Sequence, residues 1–183
     1  MARAYGRTVH MTSSRYALHQ RSEVEVAANP QDLFALLDDH ARLARHMEKP
    51  SLMTLGAVFH IEADALQGRA LGSVIRMYGA VLGAGLSVEE VVTEYRPPLS
   101  KAWETRGVTR LLVVDDYRMG FNIVPGNRGS QLKVFIDYNL PERGLAWLLG
   151  WMFGKLYARW CTRRMAEDAV GSFRLEREFH EEE

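Results

Sequence analysis

The sequence predicts an α+β domain of about seven antiparallel strands, with two short helices after the first strand and one long C-terminal helix. Two observations predict it. Between Leu52 and Leu140 apolar and polar residues alternate with the period of a half-buried strand, and glycine or proline breaks the pattern at short intervals. Links that short join antiparallel neighbours. Outside that block the spacing turns helical, briefly after Pro30 and then without internal proline from Pro141 to about Phe173.

Each element has its own signal. Glu23-Val24-Glu25-Val26 alternates as far as Ala27 and reads as the first strand. Asn29 offers a side-chain cap, Pro30 sits where its missing amide costs nothing, and Leu33, Phe34, Leu36 and Leu37 follow at helical spacing, so a helix runs to about Asp39. His40 to Met47 continues as a second short helix that Pro50 stops. Breaks at Gly68, Gly79, Gly83, Gly85, Pro97-Pro98, Gly107 and Pro125-Gly126-Asn127 then delimit strands near 53–64, 68–78, 86–95, 100–107, 109–124 and 130–140. The last helix, at about 1.5 Å per residue, is well over 40 Å long.

Composition excludes several function classes. With 47% hydrophobic and 25% charged residues, the 183-residue chain has the make-up of one globular core. Its 23 basic and 23 acidic residues cancel, so no overall field holds a polyanion and nucleic acid is not an expected partner. The single cysteine, Cys161, rules out an internal disulfide and fits a reducing, cytoplasmic setting. Lys155 closes the most apolar stretch, Gly144 to Gly154, so no transmembrane segment is expected. Residues 1–19 read as a basic flexible tail, 20–175 as the folded domain and 176–183 as an acidic tail.

On the last helix Trp147, Trp151, Gly154, Ala158, Thr162, Met165 and Ala169 share one stripe that should face the sheet. Its small residues permit either close backbone approach or an unfilled space for a ligand. On the opposite side Leu145, Leu148, Leu149, Met152 and Leu156 make the first half apolar all round, so something besides one sheet must cover it. The candidates are loops and short helices of the same chain, a second copy in a homodimer, or a lipid surface aided by Lys155, Arg159 and Arg163.

Motifs for chemistry are scarce. The histidines show no zinc spacing and no cysteine pair assists them, so neither a metal nor a cofactor is expected. His60, Glu62 and Asp64 share one strand face that reads as solvated, and Gly83-Ala84-Gly85 reads as a hairpin turn. Cys161 lies on the buried stripe away from any helix N-terminus, as a core cysteine does. No carboxylate or histidine clearly faces inward. Tyr117, Met119, Phe121 and Ile123 share one face, as do Leu132, Val134, Ile136 and Tyr138; the two tyrosine hydroxyls therefore need a polar group, a water or a ligand oxygen. Trp103, which alternates with Lys101 and Thr105, can join them. Arg76 shares a face with Tyr78, and if it points inward it invites an anionic ligand group; the alternation leaves that open.

Val24-Glu25-Val26-Ala27-Ala28-Asn29-Pro30 followed by Leu33-Phe34, and Val88-Glu89-Glu90-Val91-Val92 leading to Pro97-Pro98 and Trp103, together with the element order, resemble the START-like helix-grip superfamily, also called SRPBCC. That group includes polyketide cyclases/dehydrases and lipid-transport proteins. The resemblance covers about residues 20–173. It implies a curved sheet wrapped around the long helix with an apolar cavity between them, but not one function, because this fold hosts carriers, cyclases and binding modules alike. The expected ligand is a hydrophobic or amphipathic small molecule, lipid-, polyketide- or isoprenoid-like, lined by Trp103, Tyr117, Phe121, Tyr138, Trp151, Gly154, Ala158, Thr162 and Arg76. A cofactor-free cyclase or dehydrase acting on such a ligand is the second reading, with no catalytic residue assigned. An interaction module docking through Leu145, Leu148, Leu149 and Met152 is the third.

Overall fold

Every strand of the sheet runs antiparallel to its neighbours, in the order β1-β7-β6-β5-β4-β3-β2. The strands are β1 (Leu18–Val26), β2 (Val58–Ala63), β3 (Val74–Val81), β4 (Ala84–Arg96), β5 (Ser100–Arg110), β6 (Tyr117–Gly126) and β7 (Gly129–Tyr138). Helix α1 (Pro30–Leu37) follows β1, and α2 (Gly144–Glu181) ends the chain. The computed structural model describes residues 15–39, 58–81 and 84–181. The expected helix at 40–47 and the start of the strand at 53–64 lie outside the described residues. The rest is the expected architecture, a helix-grip fold.

Several boundaries differ from the sequence reading: β6 begins at Tyr117 rather than 109, α2 runs on to Glu181 rather than ending near Phe173 before an acidic tail, and three others have a local reason. β1 begins before Glu23 because Gln20 and Ser22, although polar, take the half-buried side of the strand, where Ser22 Oγ lies 2.9 Å from Thr162 Oγ1 on α2. β3 begins at Val74 rather than near Gly68 because Asp64 organises a turn. Its carboxylate accepts hydrogen bonds from Leu66 N–H, Ser73 Oγ–H and Val74 N–H, which hold its pKa below the usual carboxylate value. β5 does not stop at Gly107. Between the Glu89–Arg106 and Ser87–Arg110 pairs β5 advances further than β4, and Gly107, at φ +75°, takes up the extra length in a bulge.

Alternate residues of the sheet build the core. Ile75 and Met77, Val88 and Val92, Phe121 and Ile123, and Leu132, Val134 and Ile136 are buried. All of these but Val92 form one cluster with Leu33, Phe34 and Leu37 of α1 and with Ala158, Met165, Ala166 and Ala169 of α2. α1 forms as expected: Asn29 accepts from Asp32 N–H at 2.9 Å, Pro30 opens the helix, and Phe34 meets Tyr95 and Phe121 edge-on at 5.8 and 5.5 Å. The outer face carries charge. Arg118 reaches Glu94 at 3.2 Å and Glu104 at 3.5 Å, and Lys133 reaches Glu23 at 2.8 Å. Such exposed pairs add little stability each but keep this face wet.

α2 lies along β1 and β7. Gly154, Ala158, Thr162, Met165 and Ala169 are buried, as the stripe predicts. Trp147 and Trp151 depart from it: they are 51% and 68% exposed. The reason is the close approach that the small residues allow. A Cβ on Gly150 would stand 2.8 Å from Pro141, and one on Gly154 would stand 2.5 Å from Leu140 and 3.0 Å from the Val113 carbonyl. The glycine edge therefore seats against the loop before the helix, and the tryptophans beside it face out.

One charge is fully enclosed. Lys101, with no exposed surface, places its ammonium 2.6 Å from the Asp38 carboxylate at the end of α1, and Tyr95 donates its hydroxyl to the second oxygen of that carboxylate at 2.9 Å. Burial pulls the Lys101 pKa down while Asp38 holds it up. Asp38→Ala leaves a buried ammonium without its carboxylate, and the expected loss is about 3–5 kcal/mol by urea denaturation. With Lys101 then still harder to protonate in the folded state, the variant's deficit should narrow as pH rises toward the ordinary lysine value. A loss below about 1 kcal/mol at pH 6 would show that the pair does not hold α1 to the sheet.

Candidate functional site

The site is built by register. Ile75 of β3 pairs with Glu90 of β4, Glu90 with Thr105 of β5, and Tyr117 of β6 with Tyr138 of β7. Thr105 Oγ1 accepts from the Tyr117 backbone N–H at 3.1 Å and so connects the two halves of this row. The row crosses the inner face from one side of the sheet to the other. Among apolar neighbours it places a carboxylate, a threonine and two tyrosines.

Glu90 is the centre of it. It is 3% exposed, and Val88 and Val92 on the same side of β4 are equally deep. The Tyr117 hydroxyl donates a hydrogen bond to Glu90 Oε1, and the Trp103 side chain also hydrogen-bonds the carboxylate. Burial pushes Glu90 from its ordinary 4.5 up to about 7, against those two donors and the nearby Lys101 charge, which favour ionisation. Across from it, α2 contributes Tyr157 and Cys161, which are hydrogen-bonded to each other. Burial raises the Cys161 thiol to about 12, so it is protonated and unreactive at neutral pH, as a core cysteine should be.

A bulge extends the polar seam. Between Val92 and Glu94, β4 spends one more residue than β5, so the inward side passes from even to odd positions. Tyr95 then faces inward opposite Lys101, while Glu94 goes to the outer face and pairs with Arg118. Asp38, Tyr95 and Lys101 thus continue the seam that Trp103, Glu90, Tyr117 and Tyr157 occupy. Both groups of side chains are satisfied within the protein.

The residues singled out from the sequence fall into three groups. Trp103, Tyr117, Phe121 and Tyr138 lie together on the inner face, all buried, and Tyr117 has the polar partner its hydroxyl requires. Gly154, Ala158 and Thr162 sit on the buried side of α2, where Gly154 is in close contact with Leu140 and the Val113 carbonyl and Thr162 bonds Ser22 and the Ala158 carbonyl. Arg76 and Trp151 do not join them. Arg76 points outward and pairs with Glu89 at 2.8 Å, because Ile75 and Met77 take the inward side of β3. Trp151 is exposed for the reason given above. Glu90 also overturns the reading that no carboxylate faces inward. The signal was present, since Val88 and Val92 flank it two residues either way, but Val91 gave the opposite phase an apolar member as well. Lys101 was visible as the alternate of Trp103; nothing local marked Asp38 as its partner.

His60 and Glu62 are exposed, with Tyr78 donating to Glu62 at 2.7 Å, which is the solvated face expected. Among the described residues no group of three metal-ligating side chains converges. A cleft of about 490 Å³ opens between β1 and residues 159–167 of α2, where Arg163 pairs with Glu167 and Glu23 with Lys133.

The raised Glu90 pKa has a signed consequence. Between about pH 4.5 and pH 7 the folded state holds a proton that the unfolded state has lost, so stability falls as pH rises through that window. The displacement from 4.5 to about 7 corresponds to a cost of about 3 kcal/mol above pH 7. Glu90→Gln should remove this slope, matching the native chain near pH 5 and exceeding it near pH 8 in denaturation midpoint. An unchanged slope would mean that Glu90 ionises in the fold as readily as in water.

Solved structures share this architecture. The chain is similar to the protein TTHA0849 from Thermus thermophilus (TM-score 0.58, 16% identity, covering 85% of this chain and 99% of that one). It is similar also to a protein from Arthrobacter aurescens (TM-score 0.56, 13% identity, 84% of each chain). A third likeness is to Ara h 8.0201 (TM-score 0.54, 12% identity, 84% and 98%). No protein-family model and no curated protein sequence matches the chain. At these identities the likeness is one of fold, and by fold the chain stands with the helix-grip proteins.

Proposed function

We propose that this chain binds a hydrophobic or amphipathic small molecule against the inner face of the sheet, with its polar end at Glu90, Tyr117 and Trp103. One observation carries the reading: an acid, a phenol and an indole meet at the centre of an otherwise apolar face, where the fold alone would be served by aliphatic side chains. Retaining a buried carboxylate there costs stability, and ligand recognition gives it a use. Phe121, Met119 and Ile136 beside it offer the apolar surface from which affinity would come. The second reading, conversion of the ligand, has support of its own. A carboxyl group that titrates near neutrality beside a tyrosine hydroxyl can give or take a proton at physiological pH.

The test is mass spectrometry of small molecules extracted from natively purified protein, set against a denatured control. An apolar or amphipathic compound close to one per chain is expected. Tyr117→Phe, which keeps the ring and removes the hydroxyl, should weaken its retention about tenfold. No compound, together with exclusion of an apolar fluorescent probe from the native chain, would overturn the proposal. Returning the recovered compound to fresh protein separates the two readings. Unchanged recovery favours carriage, and a dehydrated or cyclised product that Glu90→Gln fails to form favours conversion.

A further inference from the structure

The first half of α2 is apolar on the outside. Leu145, Leu148, Met152 and Leu156 recur at spacings of three and four on its outward side, and Trp147 and Trp151 flank them; all six are exposed. Only the Gly150 and Gly154 edge of this half is buried. The charges around the patch have one sign. From Arg143 to Ala166 there are five basic residues, Arg143, Lys155, Arg159, Arg163 and Arg164, and no acidic one. Glu167 and Asp168 offset Arg163 and Arg164 at 2.7 and 3.3 Å, whereas Lys155 and Arg159 have no acidic partner among the described residues.

We propose that this half of α2 docks on an anionic lipid surface, with its leucines and tryptophans in the headgroup and upper acyl region and Lys155 and Arg159 against the lipid phosphates. The combination of a leucine stripe, edge tryptophans and unpaired cations is what an interfacial helix requires. No helix among the described residues is long and apolar enough to cross a membrane, so the element lies on the surface. The exposed part, residues 144–156, presents about 20 Å of helix. A second copy fits less well. A two-fold contact through this face would enclose Lys155 and Arg159 against a stretch, residues 143–166, that carries no acid on either copy to pair them.

Flotation of the full chain with phosphatidylcholine vesicles, with and without about 30% phosphatidylglycerol, tests this. Binding to the anionic vesicles, weakened by salt, is expected. Leu148→Glu combined with Met152→Glu should reduce it at least about tenfold, and Lys155→Glu with Arg159→Glu should reduce it on anionic vesicles. These positions are exposed, so circular dichroism should show the fold unchanged. Should a variant unfold, the native chain still decides the matter: its tryptophan emission should shift to the blue with anionic vesicles and be quenched by brominated lipid. Absent binding, binding indifferent to the leucine substitutions, or a lipid-free dimer that Leu148→Glu dissociates would each overturn the proposal.

Discussion

A polar group placed on the inner face of this sheet must find its partners there, and much of the fold's particularity follows from that requirement. Lys101 is fully buried where α1 ends at Asp38, whose carboxylate meets the ammonium and whose carbonyl lies 3.3 Å from it. That carboxylate is held in turn by Tyr95, which faces inward only because β4 carries a bulge between Val92 and Glu94. The same bulge frees Glu94 for Arg118 on the wet side. A change to any one of these groups therefore takes a partner from another, which couples the helix to the centre of the sheet.

Glu90 obeys the same rule with less complete relief. Two hydrogen-bond donors and a neighbouring ammonium favour its charge, yet burial outweighs them and the group stays partly protonated near neutrality. The Lys101 pair contrasts with it. There a full opposite charge stands within 2.6 Å, and desolvation is met by Coulomb attraction as well as by hydrogen bonds. Glu90 has an uncharged phenol and indole instead. A carboxyl so placed can accept or lose a proton at little cost, and this distinguishes the row through Glu90 from the merely structural seam beside it.

α2 serves two environments along one length. From Gly154 onward its small residues let the backbone settle on β1, β7 and the loop at Val113, and Thr162 fastens it to Ser22. Before Gly154 the same glycine spacing continues through Gly150, but the loop it meets is narrow and covers only that edge. Large apolar side chains on every other side are then left outside the core. Helical periodicity reports which residues share a face, but not where the neighbouring surface ends, and Trp147 and Trp151 fall on the correct stripe past the limit of that surface.

The same distinction explains what could be read in the amino-acid sequence. Element type and order were legible because alternation, caps and breakers are local: Asn29-Pro30 starts α1 and each strand carries its own period. Tyr117, Phe121 and Tyr138 were legible as an inward set for that reason. Arg76 stayed open because Ile75 and Met77 on one side and Tyr78 on the other give both phases an apolar member; pairing with Glu89 on the next strand fixes it outward. Glu90 was hidden by Val91 in the same manner. The bulges at Gly107 and Thr93 were invisible, since each depends on how two strands of unequal length are matched across the sheet. Inward charge is thus the least legible feature of such a chain: a lysine or glutamate on a strand reads as solvent-facing until its partner, which for Lys101 lies 63 residues away at the end of a helix, is brought to it by the fold.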